Sequence, residues 1–172
     1  NQVVFKEVND SIYTIDFEDH HIEINSHVSG RITSYTVDNR QLLKPHDFHK
    51  EFFGSTLWPA PQSEWNWPPP PQLDGEPYSV SISEDGIYME SEKDSLTGLQ
   101  FGKMFGFNPI DTVFEITYTV KNLNDTPRYA APWEVTRVQG GLSFFPLGEE
   151  PVMRQSNLKS VSGVDGIVSH DY

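Results

Sequence analysis

Residues that could contact a sugar lie close together in one segment of the chain, residues 54–78. Three of the four tryptophans lie in this segment, Trp58, Trp65 and Trp67. An indole ring can cover the C–H face of a pyranose, and amides and carboxylates can hydrogen-bond to its hydroxyl groups. The polar side chains of this kind in the segment are Gln62, Ser63, Glu64 and Asn66. The composition of the segment therefore indicates a saccharide site.

The same segment holds seven of the thirteen prolines, including the run Pro68–Pro71. Proline fixes φ and lacks an N–H group, so we predict that neither a helix nor an inner strand runs through residues 54–78. We expect the four consecutive prolines to be extended polyproline II. The predicted element is a long, stiff aromatic loop, and such loops are usually functional. The alternative is that the tryptophans cap one end of a hydrophobic core, because tryptophan is highly buried on average.

Charge and composition exclude several classes of function. The chain has 172 residues and a net charge of −13, from 25 acidic and 12 basic residues. A nucleic acid or an anionic membrane needs a basic surface, so we expect neither as a partner. The sequence contains no apolar run of about 18 residues that could span a membrane. It also contains no cysteine, which excludes disulfides, thiolate catalysis and cysteine-ligated zinc.

The elements that must position the aromatic segment are predicted to be β-strands. Short runs of alternating apolar and polar residues recur along the chain, separated by Asp, Asn, Gly and Pro. The clearest run is Thr112–Lys121, in which every second residue from Phe114 to Val120 is apolar. The run Gly98–Phe107 places Lys103 on the same face as its apolar residues. Roughly ten or more such strands predict an all-β, antiparallel sandwich, which we assign to a single domain, residues 1–172.

Three stretches resemble a bacterial family of unknown function within the galactose mutarotase-like group of β-supersandwich proteins, next to the aldose 1-epimerases. They are LWPAPQSEWNWPPPP, TGLQFGKMF and TVFEITYTVKNLNDTPRYAAPWEVTRVQGGLSFFPLG. The segment HHIEINSHVSGRITSYTVDNRQLL is similar to the first strands of that fold. The resemblance covers residues 20–150, and LWPAP and APWEVT are its most specific parts. It implies a large twisted sheet whose concave face binds sugars.

The resemblance also implies that the chain is the N-terminal portion of a longer domain, because proteins of this fold are usually much longer. A partial sheet would have open edges, so we expect association with another copy. In the epimerases a histidine on the strand similar to APWEVTRV supplies the catalytic acid, but this chain has no histidine between His49 and His170. The group to which the chain is similar suggests a periplasmic or extracellular location.

Catalysis on a sugar would require an acid and a base on opposite sides of the reacting bond. The candidates are Glu64, in the aromatic segment, and Glu134, within APWEVT. On a strand Trp133, Val135 and Arg137 share one face, and Glu134 and Thr136 share the other. The candidate substrate-binding residues are Trp58, Gln62, Trp65, Trp67, Gln100, Lys103, Trp133 and Arg137.

The histidines do not predict a metal site. His20 and His21 are adjacent, and His46 and His49 flank Asp47, but zinc needs three or four converging ligands. We interpret these side chains as solvated loop histidines and expect no metal and no cofactor.

Three functional hypotheses remain open at this point. The first is a carbohydrate-binding protein of the mutarotase-like type. The second is a sugar-active enzyme, either an aldose epimerase or a glycoside hydrolase that uses carboxylates. The third is a non-catalytic structural or assembly module, which would be favoured if Trp58, Trp65 and Trp67 were all buried.

Overall fold

A computed structural model describes residues 2–146, 161–164 and 166–171 of the chain. The predicted all-β architecture is confirmed, since the described elements are antiparallel strands joined by short loops and single helical turns. The strands are β1 (Val4–Glu7), β2 (Ile12–Phe17), β3 (His20–Asn25), β4 (Arg31–Val37), β5 (Arg40–Gln41), β6 (Ser55–Ala60), β7 (Ser79–Ser83), β8 (Gly86–Glu90), β9 (Leu99–Asn108), β10 (Val113–Asn122), β11 (Ala131–Thr136), β12 (Leu142–Pro146), β13 (Val161–Val164) and β14 (Ile167–Asp171).

The chain divides into two compact units, Asn1–Arg137 and Val138–Tyr172. The first unit contains a seven-stranded sheet in the order β1-β2-β3-β4-β6-β11, with β5 paired to β4, and a four-stranded sheet in the order β10-β9-β8-β7. In the second unit the described strands form a three-stranded sheet in the order β12-β14-β13. A strand predicted at residues 151–155, and the start of another at 158–160, lie outside the described residues.

The core of the first unit lies between its two sheets. Phe17 of the large sheet packs against Phe107 of the small sheet, with ring centroids 5.0 Å apart. Successive side chains of a strand point to opposite faces of its sheet, so every second residue enters the core between the two sheets. On β10, Phe114, Ile116, Tyr118 and Val120 pack against the core, as predicted from the sequence. The fully buried members of the core include Ile15, Ile22, Ile24, Leu57, Leu73, Ile87, Met89 and Phe101.

The prediction that no inner strand or helix crosses residues 54–78 is wrong. Strand β6 runs from Ser55 to Ala60 and lies between β4 and β11 in the large sheet. It tolerates Pro59 because Pro59 stands opposite Pro132 of β11. Antiparallel ladders alternate between hydrogen-bonded and non-hydrogen-bonded pairs, and two residues without N–H groups can face each other only in the second kind.

The rest of the aromatic segment contains two short helical turns. One is a 3₁₀ turn at Gln62–Glu64, and the other is α1, Pro71–Asp74. The four prolines were predicted to be uniformly extended, but Pro71 begins α1. Proline is favourable at the first helical position, where no N–H donor is needed. No helix in the described ranges is long and apolar enough to cross a membrane.

Candidate functional site

The two faces of the large sheet have different roles near β6 and β11. Ile32 and Ser55 are register partners, and Ile32 belongs to the core, so Ser55 and Leu57 face the core as well. The alternate residues Thr56 and Trp58 therefore lie on the opposite, outer face. On the neighbouring strand Trp133 is the register partner of Trp58 and shares its face.

A cavity of about 530 Å³ lies over this outer face. This volume is in the range of about 300–1,000 Å³ that is typical of small-molecule sites. Arg31 and Trp58 contribute from the sheet, Val28 contributes from the 3₁₀ turn Ser26–Val28, and the segments at 50–53 and 67–75 supply the rest of the wall. The lining residues are Val28, Arg31, Lys50, Glu51, Phe52, Phe53, Trp58, Trp67, Pro68, Pro69, Pro71, Asp74 and Gly75.

A buried ion pair between Arg31 and Asp74 forms the polar part of the wall. Arg31 Nη2 lies 3.1 Å from Asp74 Oδ1, and only 4% of Arg31 is exposed. The same carboxylate accepts hydrogen bonds from the Thr56 hydroxyl and from Trp58 Nε1, the latter at 2.8 Å. Arg31 Nη1 donates to the carbonyl of Glu51 at 2.8 Å. These contacts tie the sheet, α1 and the 50–53 segment together.

An aromatic cluster forms the apolar part of the site. The Trp58 ring makes edge contacts with Trp67 and Trp133, with centroid distances of 5.5 Å and 5.3 Å. Trp67 also lies 6.0 Å from Phe52. Trp58 is buried, whereas Trp67 is 52% exposed. An exposed indole beside a cavity offers an apolar face to a ligand.

Arg137 adjoins the cavity through its aromatic wall. Its guanidinium carbon lies 5.3 Å from the centre of the Phe52 ring and 5.6 Å from that of Trp58. Burial lowers the pKa of Arg137, and the neighbouring Arg31 charge lowers it further, while Asp74 opposes the shift. A second guanidinium therefore lies in the field of the ion pair.

Gly54 positions Arg137 through the backbone. The Gly54 carbonyl accepts a hydrogen bond from the Arg137 N–H at 3.0 Å, and the Gly54 N–H donates to Lys44. The Lys44 N–H in turn donates to the Arg137 carbonyl at 2.8 Å. Gly54 has φ +60°, and a Cβ placed there would lie 2.1 Å from the carbonyl oxygen of Ile32. Only glycine fits at this close approach of β6 to β4.

Lys103 lies on the other side of the sheet from the cavity, within the core layer. It is 1% exposed, and its Nζ donates to the carbonyls of Ser29 and Gly30 at 2.7 and 3.4 Å. Burial lowers the pKa of Lys103 to about 7, although Asp74 opposes the shift. Its contacts support the loop that precedes Arg31.

Of the residues proposed from the sequence, four are at or beside the cavity. Trp58 and Trp67 line it, while Trp133 and Arg137 contact the Trp58 ring. The prediction that Trp133 and Arg137 share one face and Glu134 lies on the other is confirmed, since Glu134 Oε1 accepts a hydrogen bond from the core-facing Ser55 at 2.7 Å.

The remaining proposed residues are held elsewhere. Glu64 pairs with Arg128 at 3.1 Å, and Trp65 is buried with its Nε1 donating to the Pro59 carbonyl at 2.8 Å. Gln62 is exposed on its 3₁₀ turn. Gln100 Nε2 donates to the Ser91 carbonyl at 2.8 Å. Neither proposed catalytic glutamate is among the residues that line the cavity.

Arg31 and Asp74 were missed in the sequence. Asp74 lies within the aromatic segment, and Arg31 follows Gly30 at the start of β4, which is the only local signal that the sequence offers for these two residues. No pattern in the sequence pairs two residues that are 43 positions apart. In the part of the chain that the structure describes, no three His, Asp or Glu side chains converge to hold a metal ion.

Comparison with known proteins gives no family assignment. No model of a known protein family matches the chain, and no curated protein matches it.

Proposed function

We propose that the protein binds a saccharide in the cavity over the outer face of the large sheet. The observation that carries this proposal is the half-exposed Trp67 ring, which lines the same cavity of about 530 Å³ as the buried Arg31–Asp74 pair. The indole offers a face for the C–H groups of a sugar ring, and the charged groups offer hydrogen bonds to its hydroxyls. The cavity is large enough for a small saccharide.

The arrangement favours binding over catalysis. The Asp74 carboxylate accepts three hydrogen bonds, from Arg31, Thr56 and Trp58, and so is occupied as a structural acceptor. Glu51 is the other carboxylate residue in the lining. Hydrolysis by two carboxylates needs one side chain that can donate a proton and a second that can act as base or nucleophile. Because Asp74 already serves as the acceptor for three protein donors, the lining offers only Glu51 as a carboxylate without that structural task, and one carboxylate cannot fill both roles.

The partial exposure of the tryptophans also bears on the assembly-module hypothesis. That hypothesis would be favoured by burial of all three tryptophans in the aromatic segment. Trp58 and Trp65 are buried, but Trp67 leaves about half of its surface open. We therefore place ligand binding ahead of a purely structural role.

Isothermal calorimetry with a panel of mono- and disaccharides tests the proposal. We expect binding to the wild-type protein and a loss of about fivefold or more in affinity for Trp67→Ala, because stacking against an indole contributes on the order of 1 kcal/mol or more. Ile110→Ala, which changes an exposed apolar residue away from the cavity, is the matched control. Equal affinities for wild type and Trp67→Ala, or no sugar binding by the folded protein, would contradict the proposal.

A further inference from the structure

Two guanidinium nitrogens, one on a residue that lines the cavity and one on a residue beside it, are buried without a hydrogen-bond partner among the described residues. They are Arg31 Nε and Arg137 Nη1. A buried N–H group that gives up water without gaining a partner costs free energy, and a charged group costs more. Such groups are rare in folded proteins, and each one calls for an explanation.

The contacts of Arg31 leave one of its three guanidinium nitrogens, Nε, without a hydrogen-bond partner among the described residues. Its Nη1 donates to the Glu51 carbonyl and its Nη2 to Asp74, so the terminal nitrogens each have a partner. The guanidinium also lies over the Phe53 ring at 4.6 Å. The remaining Nε belongs to a side chain that lines the cavity and is almost completely buried.

Arg137 adds a positive charge that the lining residues do not balance. Arg31 and Lys50 are matched in number by Glu51 and Asp74. Arg137 approaches the same aromatic wall through Phe52 and Trp58, and no carboxylate among the described residues forms an ion pair with it. The lining charges thus balance, and Arg137 beside the cavity adds one positive charge within a chain whose net charge is −13.

We propose that the saccharide carries an oxyanion group, a carboxylate, sulfate or phosphate, that accepts hydrogen bonds from Arg31 Nε and Arg137 Nη1. This inference rests on the proposed saccharide function and narrows its substrate class to acidic sugars. Guanidinium groups recognise oxyanions through charge-assisted hydrogen bonds, which are about twice as strong as neutral ones. A sugar hydroxyl could accept one such bond, but it would leave the charge of Arg137 unneutralised.

Calorimetry with four related sugars tests the inference: glucuronate, glucose 6-sulfate, glucose 6-phosphate and glucose. We expect at least one acidic sugar to bind about tenfold or more tightly than glucose, since one charge-assisted contact contributes about 1.5–3 kcal/mol. The acidic sugar that binds most tightly identifies the oxyanion. The advantage over glucose should shrink as salt is raised, because salt screens the attraction between charges.

Substitution of Arg137 provides the residue-specific test. Arg137→Gln should reduce affinity for the best acidic sugar at least about tenfold more than affinity for glucose, which is a loss of about 1.4 kcal/mol in selectivity. Arg40→Gln, on β5 of the same sheet and exposed, is the matched control and should retain the selectivity. Arg137 is the main test because Arg31 is buried in an ion pair and its replacement could prevent folding.

The outcomes separate the inference from the proposed function. Equal binding of glucose and all three acidic sugars would overturn the inference and leave saccharide binding in place. Failure of all four sugars and of the wider saccharide panel to bind would overturn both. Inorganic sulfate or phosphate that binds as tightly as the matching sugar would also overturn the inference, because the site would then recognise the anion without the sugar.

Discussion

Trp58 donates its indole N–H to the Asp74 carboxylate at 2.8 Å. This bond joins the aromatic cluster to the buried ion pair, because the same carboxylate lies 3.1 Å from Arg31 Nη2. The polar and apolar halves of the site are therefore one structural unit. A substitution of Asp74 therefore removes a contact of Arg31 and a contact of Trp58 at the same time.

Asp74→Ala should destabilise the protein strongly. The substitution leaves Arg31 buried without its counter-charge and removes the acceptor for Trp58 and Thr56. Loss of one partner of a buried ion pair typically costs about 3–5 kcal/mol. Urea denaturation measures the free energy of unfolding directly. Glu76→Ala, two residues away and exposed, is the control, and a similar small loss in both variants would contradict the assignment.

Gly54→Ala should disturb both stability and the position of Arg137. The new Cβ would meet the Ile32 carbonyl oxygen at 2.1 Å, in a left-handed conformation that L-residues rarely adopt. We expect a loss of at least about 1–3 kcal/mol from backbone strain. Thermal and urea unfolding would measure it. Gly75→Ala is the matched control, since a Cβ there meets nothing nearer than 3.5 Å. Unfolding curves that coincide for the two variants would refute the close-packing argument.

Stability should depend on pH through Lys103. Burial lowers its pKa from 10.5 to about 7. Between these two pH values the Lys103 amine is mostly neutral in the folded protein and mostly protonated in the unfolded chain. Below about pH 7 both states carry the proton and the full cost of the buried charge is present. Between about pH 7 and 10.5 the unfolded state binds more protons, so the free energy of unfolding rises with pH in that window.

Lys103→Met isolates this contribution. The variant should lack the rise in unfolding free energy that the wild type shows between about pH 7 and pH 9, measured by urea titrations across that range. The upper limit stays below the ionisation of ordinary tyrosines, at about pH 10. Lys6→Met, on the exposed strand β1, should keep the wild-type slope. Parallel pH profiles for wild type and Lys103→Met would show that the buried amine does not titrate there.

Glu64→Gln and Glu134→Gln should leave saccharide affinity within about twofold of wild type, a difference of less than about 0.5 kcal/mol. Neither residue lines the cavity. Glu64 pairs with Arg128, and Glu134 bonds to Ser55 on the core-facing side of the sheet. Calorimetry with the best-binding sugar measures the effect, with Trp67→Ala as the positive control. If either glutamate variant lost as much affinity as Trp67→Ala, that glutamate would have to contact the sugar, and the prediction would be wrong.

The strands could be predicted from the sequence because alternation is a local signal. The inward face of β10, from Phe114 to Val120, was predicted correctly because its neighbours in sequence define the pattern. Lys103 was correctly placed among apolar residues of β9, but the same alternation implies burial, and it was interpreted as a ligand contact. The charge of Lys103 suggested a contact with a sugar, whereas its position in the alternating pattern of β9 predicts the burial that the structure shows.

The site itself could be predicted only in part. Trp58 and Trp67 were found because aromatic residues cluster in the sequence, and the faces of β11 followed from its period. The pairing of Arg31 with Asp74 depends on a fold that brings β4 to α1, which no local pattern contains. The prediction that proline excludes an inner strand was wrong at β6, because Pro59 and Pro132 face each other at a register position where neither needs an N–H donor.

All four tryptophans of the chain belong to one connected group, because Trp58 lies within 6.4 Å, centroid to centroid, of each of the other three. All of the tryptophan fluorescence of the chain therefore arises from this one cluster. Two rings of this cluster, Trp58 and Trp67, line the cavity. A ligand that contacts Trp67 should therefore change the tryptophan emission, which a fluorescence titration would measure without a label.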